Sequence, residues 1–256
     1  MIDERAVIHP KAQLGQNVSL GPFAYIGEGV VIGDDCVIES HVVIKGPTII
    51  GRGNHFYQFG SIGEACQDKK YQGESTQLII GDYNIFRESV TVHRGTIQDK
   101  AKTVIGDHNL LMAYVHIAHD CVLGNHVVMC TSASIAGHCM IDDWAILSGF
   151  VGVHQNIRVG AHAFAAGAAL VLQDIPPFVM ASGHSAKPKG LNTEGLKRRG
   201  FSSEEILALR TAYKIYYRSG LIKSEALKKI RDELYESEAV LHFASAIENS
   251  ERGVVR

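Results

Sequence analysis

The 256 residues carry 25 Lys and Arg against 27 Asp and Glu, a net charge of −2, and 46% of them are hydrophobic. A chain of this length and composition buries a sizeable core, and its near-neutral balance argues against nucleic acid as a partner. The N-terminus MIDERAVIHP is charged at once, no run spans a bilayer, and the five scattered cysteines form neither C-x-x-C nor a disulfide framework, so the reading is a cytoplasmic protein without membrane insertion.

From the start of the chain, every sixth residue is aliphatic: Ile8, Leu14, Leu20, Ile26, Ile32, Ile38, Ile44 and Ile50, then Phe56 and Ile62. With about a third of the residues aliphatic, eight straight hits in any of six phases arise by chance roughly once in a thousand. A second run, Ile105, Leu111, Ile117, Leu123, Met129, Ile135, Ile141, Leu147, Val153 and Val159, repeats the pattern. Glycine often follows the aliphatic (Gly15, Gly33, Gly106, Gly124), and a small or β-branched residue precedes it by two. A period of six fits neither helix nor hairpin and matches the hexapeptide class of parallel β-helix repeats. Three short strands then make one eighteen-residue coil of a triangular prism, with the aliphatic inward and glycine easing the corner. Stacked coils pair as parallel strands about 4.8 Å apart. The likeness to the left-handed β-helix proteins implies left-handed coiling, an exception to the right-handed crossover rule.

The pattern lapses at residues 63 to 79, where Asp68 and Glu74 fall at core positions. Ile62 and Ile80 are eighteen apart, which predicts a looped-out segment with the prism resuming one coil on. Val92 and Ile105 differ by thirteen, read as a single-residue insertion. After Pro176-Pro177 the repeat ends, placing the β-helix over residues 1–190 and a helical domain over 191–256. Ser202 with Glu205 reads as a capping box before ILALRTAYKIYY, Gly200 and Gly220 as C-caps, and two further amphipathic segments follow. Lys187, Lys189, Lys197, Arg198 and Arg199 form a basic cluster, either a solvated face or a surface for an anionic substrate or acidic partner.

Coil stacking predicts which residues meet. Ile117, Ile135 and Val153 share a face, so His119, His138 and His154 project near one edge, and Gly137 lies directly over His119. A lone histidine at a corner is more often an exposed turn residue, and His126 and His162, on other faces, are read that way. With the one-residue insertion, Val92 stacks beneath Leu111, which puts His93 a third of a turn away. His93 then joins the same edge only from a neighbouring prism under threefold packing.

The stretches ESVTVHRGT, NLLMAYVHIAHDC, AGH, VHQ, DIPPFVMASG and NTEGLKRRGFS, with the loop QDKKYQGE, resemble the acyl-ACP:UDP-N-acetylglucosamine O-acyltransferases of lipid A biosynthesis over essentially the whole chain. The resemblance implies a cytoplasmic homotrimer with sites between subunits. It moves a 3-hydroxyacyl chain from acyl carrier protein to the sugar 3-hydroxyl of UDP-N-acetylglucosamine, with no cofactor beyond the carrier's phosphopantetheine. His119 matches the family's general base, Asp120 the acid that assists it, and Gly137 the oxyanion donor. Asp120 needs the corner to bend, because adjacent residues of an extended segment point to opposite sides. By the same matching, Lys70, His93, His138 and Arg199 belong to the site, with Lys70 and Arg199 toward phosphate. His154 and Gln155 match the nucleotide-binding motif. Asn192, Glu194 and Arg198 match the segment touching UDP or phosphopantetheine, and Asp68 the sugar. Gly167 matches the acyl-length ruler, where glycine implies a long chain, with Phe164 nearby. Ser185 stands where the family has a histidine.

Three other readings stay open on the residues. One is a trimeric β-helix zinc enzyme similar to the γ-carbonic anhydrases, with His93, His116 and His119 as ligands. The others are an acyltransferase acting on an amino sugar and a non-catalytic binding solenoid.

Overall fold

The computed structural model describes residues 1–256. Three sheets of nine, eight and ten strands form the sides of a prism, and the chain visits them in strict rotation. The first face runs from Val7–Ile8 to Leu170–Val171, the second from Gln13–Leu14 to Arg158–Val159, and the third from Ser19–Leu20 onward. The third ends in the only antiparallel pair, Val179–Ser182 with Lys187–Leu191. Ile8 pairs with Ile26 and Ile26 with Ile44, the eighteen-residue step expected.

Beyond the first coil, where Ile8 and Leu14 are half-buried, the coil strands bury their inward residue. Ile26, Ile44, Leu111, Ile117 and Ile135 are fully inside, and Phe56 stacks on Phe86 with ring centroids 4.4 Å apart. The corners differ from the sequence reading. The glycines after the aliphatics are not the residues that turn the chain; at most corners the residue three past the aliphatic is left-handed, as at Asn17 (φ 56°), Asp35 (φ 59°), Asp120 (φ 58°) and His138 (φ 62°). Glycine is needed two residues earlier because a Cβ on Gly21 would sit 2.7 Å from Ser40 N, and one on Gly33 2.7 Å from Gly51 C. The coils pass too close there for any side chain. A left-handed residue costs about 1–2 kcal/mol, whereas each inward aliphatic contributes about 1.5–3 kcal/mol, so the stacked core outweighs the strained corners.

Both interruptions fall at the corner between the first and second faces. Ile62 lies on the first face and Ile80 on the second, paired with Ile44 and Ile50. The prism therefore resumes on the next face, not one coil on. The second interruption is also longer than read. Val92 pairs with Ile117 on the first face and Ile105 with Leu123 on the second. Their separation of thirteen replaces an ordinary step of six, so seven residues are inserted.

The strands end at Leu191, and four helices follow: α1 (Thr193–Arg198), α2 (Ser203–Arg218), α3 (Lys223–Leu234) and α4 (Glu238–Glu248). The short α1, within NTEGLKR, adds to the three helices expected. The Ser202/Glu205 capping box forms, and Gly200 and Gly220 take positive φ just past helix ends. The tail returns to the prism, where Asp174 N donates to Gly253 O at 3.0 Å and Val255 N to Asp174 O at 2.9 Å. One continuous apolar core joins helices and prism. No helix is long and apolar enough to cross a membrane.

Candidate active site

At the corner joining the first and second faces, successive coils place Asp120, His138 and Asn156 in left-handed conformation. That bend turns the Asp120 side chain back onto its neighbour, so His119 Nδ1 lies 2.9 Å from Asp120 Oδ2. Asp120 is 1% exposed, yet its carboxylate is well satisfied. It accepts from Thr96 N–H at 2.9 and 3.0 Å and from the Thr96 hydroxyl at 2.6 Å, while Asp120 N–H donates to Thr103 Oγ1 at 2.9 Å. An ionised carboxylate only accepts, so the His119 Nδ1 carries the proton and Nε2 keeps a lone pair. The result is an imidazole fixed in one tautomer, with its basic nitrogen directed away from the acid.

Gly137 covers that nitrogen. A Cβ on Gly137 would meet His119 Cε1 at 2.5 Å and Nε2 at 2.7 Å, so only glycine leaves room for the ring. The coil is pinned beside it by His138 N donating to His119 O at 3.0 Å, and the Gly137 N–H is not spent on a backbone acceptor. A free amide near a basic nitrogen is the arrangement that stabilises a developing oxyanion. The His138 ring packs edge-on to His119 at 4.9 Å, and its Nδ1 is 3.0 Å from Asp99 Oδ2.

The His119 ring opens into a cleft of about 610 Å³ along the first face, bordered by Asp68, His93, His119, Gly137, His154 and Gln155. Burial, and then neighbouring His116, holds the His93 pKa down to about 4. Burial also lowers His116, whose Nδ1 meets Thr91 Oγ1 at 2.8 Å. His93 and His116 are therefore uncharged near pH 7. His154 Nδ1 lies 3.2 Å from Gln155 O and 3.3 Å from Arg252 Nη2. A larger cavity of about 830 Å³ lies between the terminal hairpin and α2, with Lys189, Arg210, Lys214 and Arg218 but no general base. Only the smaller one holds a carboxylate-paired imidazole.

The expected site residues divide into two groups. Asp68 reaches the cleft from the first inserted loop, and Lys70 follows it, exposed, with its N–H on Asp68 Oδ1 at 2.9 Å. His93 belongs to the cleft of its own chain, 5.0 Å from the His116 ring, and not to a neighbour's. The seven-residue insertion, unlike the single residue read from the sequence, returns Val92 to the first face. By contrast, Asn192 caps α1 and donates to His162 O at 3.0 Å, Glu194 pairs with Lys197, and Arg198 is exposed. The Arg199 guanidinium lies over Trp144, 5.1 Å from the ring centre. This segment covers the corner between the second and third faces, so it does not join the cleft of the same chain. Gly167 lies at the remaining corner, where a Cβ would come no closer than 3.7 Å to Gly149 O, and Phe164 packs half-buried on the third face.

Sequence reasoning missed Thr91 and Asp99, which bond His116 and His138, and Thr96 and Thr103, which bond Asp120. The signal was there in part: the repeat breaks only after Ile62 and after Val92, the two places that carry these loops. The side chains close enough to share a cation are His119, Asp120 and His138, rather than His93, His116 and His119. The two imidazoles already have carboxylate partners, His119 in Asp120 at 2.9 Å and His138 in Asp99 at 3.0 Å.

Comparison with known proteins agrees with this geometry. A model described as UDP N-acetylglucosamine O-acyltransferase, domain 2, matches residues 174–255, and one for six bacterial transferase hexapeptide repeats matches residues 11–46 and 102–137. Acyl-[acyl-carrier-protein]–UDP-N-acetylglucosamine O-acyltransferases of Stutzerimonas stutzeri and Pseudomonas syringae pv. syringae are 50% and 51% identical, each covering 100% of this chain and 99% of the relative. The solved UDP-N-acetylglucosamine acyltransferase of Francisella novicida superposes with a TM-score of 0.97 at 44% identity, covering 100% of this chain and 94% of the other. That of Bacteroides fragilis gives 0.98 at 42% identity, with both chains fully covered. Half identity over the whole chain, carried on a left-handed parallel β-helix closed by helices, places the chain in the UDP-N-acetylglucosamine O-acyltransferase family.

Proposed function

We propose that the chain transfers a 3-hydroxyacyl group from acyl carrier protein to the 3-hydroxyl of UDP-N-acetylglucosamine, a step of lipid A biosynthesis in the cytoplasm. The observation that carries the reading is the His119–Asp120 pair beneath the free Gly137 amide. His119 Nε2 takes the proton of the sugar hydroxyl as its oxygen bonds to the thioester carbon. Charge that gathers on the carbonyl oxygen meets the Gly137 N–H, and collapse of the tetrahedral species breaks the C–S bond. The phosphopantetheine thiolate leaves and takes up a proton. No cofactor of this chain's own is required, since the donor brings its phosphopantetheine.

The working unit in this reading is a homotrimer with sites between subunits. Arg198 and Arg199, with Asn192 and Glu194, lie at a different corner from the cleft, so a second copy must bring them to it. The outward residues of the second face support close packing between copies: Val31, Ile49, Ile79, Val104, Val122 and Met140 form an apolar row, with Ile49 46% exposed. Lys70 and Arg199 then supply charge for the diphosphate. Asp68 meets the sugar, and His154 and Gln155 the nucleotide. His138 lies against the base, and Gly167 leaves space for a long acyl chain.

Purified protein, UDP-N-acetylglucosamine and a panel of 3-hydroxyacyl carrier proteins should yield an acylated sugar nucleotide by mass. Transfer from none of the donors, or transfer only to a 3-amino analogue, would overturn the assignment.

A further inference from the structure

The seven-residue insertion after Val92 interrupts a repeat that otherwise keeps its step, and it does so one coil below the base. Its residue Thr96 is 1% exposed, as is Asp120. Its backbone N–H reaches both oxygens of Asp120, at 2.9 and 3.0 Å, and its hydroxyl donates to Oδ2 at 2.6 Å. Oδ2 is also the oxygen that holds His119 Nδ1, at 2.9 Å. The insertion is itself fixed at both ends. Arg94 Nη1 donates to Gly46 O at 3.0 Å, and Asp99 Oδ2 accepts from His138 Nδ1. Without the Thr96 donors the buried carboxylate would keep only its contact with the His119 ring, a costly state for a polar group out of water.

The structure assigns Thr96 as the positioning residue of the catalytic pair: we propose that it clamps the Asp120 carboxylate in the rotamer that orients His119 and limits how strongly that carboxylate holds the imidazole proton. It touches neither substrate nor reacting atoms, and the inference rests on the reading of His119 as the base. Removing the hydroxyl frees a lone pair on Oδ2. The carboxylate then draws the Nδ1 proton harder and stabilises the imidazolium, so the base is both less well aimed and protonated at higher pH.

The test compares Thr96→Val, which keeps shape and loses the hydroxyl, with Thr96→Ser, which keeps the hydroxyl. For Thr96→Val we expect kcat to fall about tenfold with KM for the sugar nucleotide nearly unchanged, and the acid limb of kcat/KM to rise by about half a pH unit. The low-field imidazole proton of His119 should shift in its NMR spectrum, and Thr96→Ser should restore all three. In a His119→Ala background, Thr96→Val should change turnover no further. Unchanged kcat, acid limb and imidazole resonance in folded Thr96→Val would overturn the proposal while leaving the base reading intact. Full turnover by His119→Ala would instead remove the base reading, and the imidazole resonance would still decide whether Thr96 holds the pair.

Discussion

Two corners of this prism carry columns of histidine on the same backbone, and they do different work. At the corner of the second and third faces, Tyr83, His108, His126, Trp144 and His162 stack ring on ring, with His108 and His126 at 5.0 Å and His126 and Trp144 at 4.0 Å. All five are left-handed, as are Asp120 and His138 at the other corner. The ladder fills the corner with flat faces in contact. The His162 Nδ1 is buried without a hydrogen-bond partner, and burial, then nearby Arg199, holds its pKa down to about 4. At the first corner the rings are turned edge-on and each Nδ1 is held by a carboxylate. A column of histidines is therefore packing by default. In the proposed reading it becomes a base where a glycine on the next coil opens space above one ring and an inserted loop supplies hydrogen-bond donors to the buried carboxylate that holds that ring.

The contrast can be broken from either side. The largest effect is expected for His119→Ala, with kcat down about a hundredfold or more and an unchanged melting transition. Steady-state turnover beside a thermal melt reads both. Gly137→Ala attacks the space instead of the base: a methyl 2.5 Å from His119 Cε1 must push the ring aside. Turnover should drop between about tenfold and a hundredfold in a folded protein, and wild-type turnover in that variant would show that the glycine has no such role.

The third prediction concerns pH. His93 is neutral in the fold down to about pH 4, facing His116, Glu64, His119 and Arg94, whereas an unfolded histidine takes its proton near pH 6.5. Its pKa is depressed on folding, so its contribution to stability is present above pH 6.5 and is lost as pH falls from there to about 4, about 3 kcal/mol at most. Denaturant midpoints measured across that window should fall less steeply for His93→Gln, and parallel curves would contradict it. The smallest effect belongs to the ladder. His126→Ala should cost about 1 kcal/mol of stability and leave turnover as it is, because its ring only stacks. A loss of activity there would erase the distinction between the corners.

Much of this was legible along the chain. A strict period of six names the inward residues and the prism, and counting by eighteen puts Gly137 over His119 without coordinates, because parallel stacking repeats side-chain positions coil by coil. The capping box at Ser202 and Glu205 and the glycines after α1 and α2 are equally local. The counting failed at the insertions, since an interruption of thirteen is compatible with one extra residue or seven, and the wrong choice moved His93 to another face. Only the tertiary structure decided that both loops share a corner, that a left-handed Asp120 can reach back to its neighbour, and that Arg199 rests on Trp144 away from the cleft. The reason is physical: periodicity fixes which way a side chain points within a coil, whereas a hydrogen bond such as Thr96 to Asp120, spanning 24 residues, depends on the path of a loop that no repeat constrains.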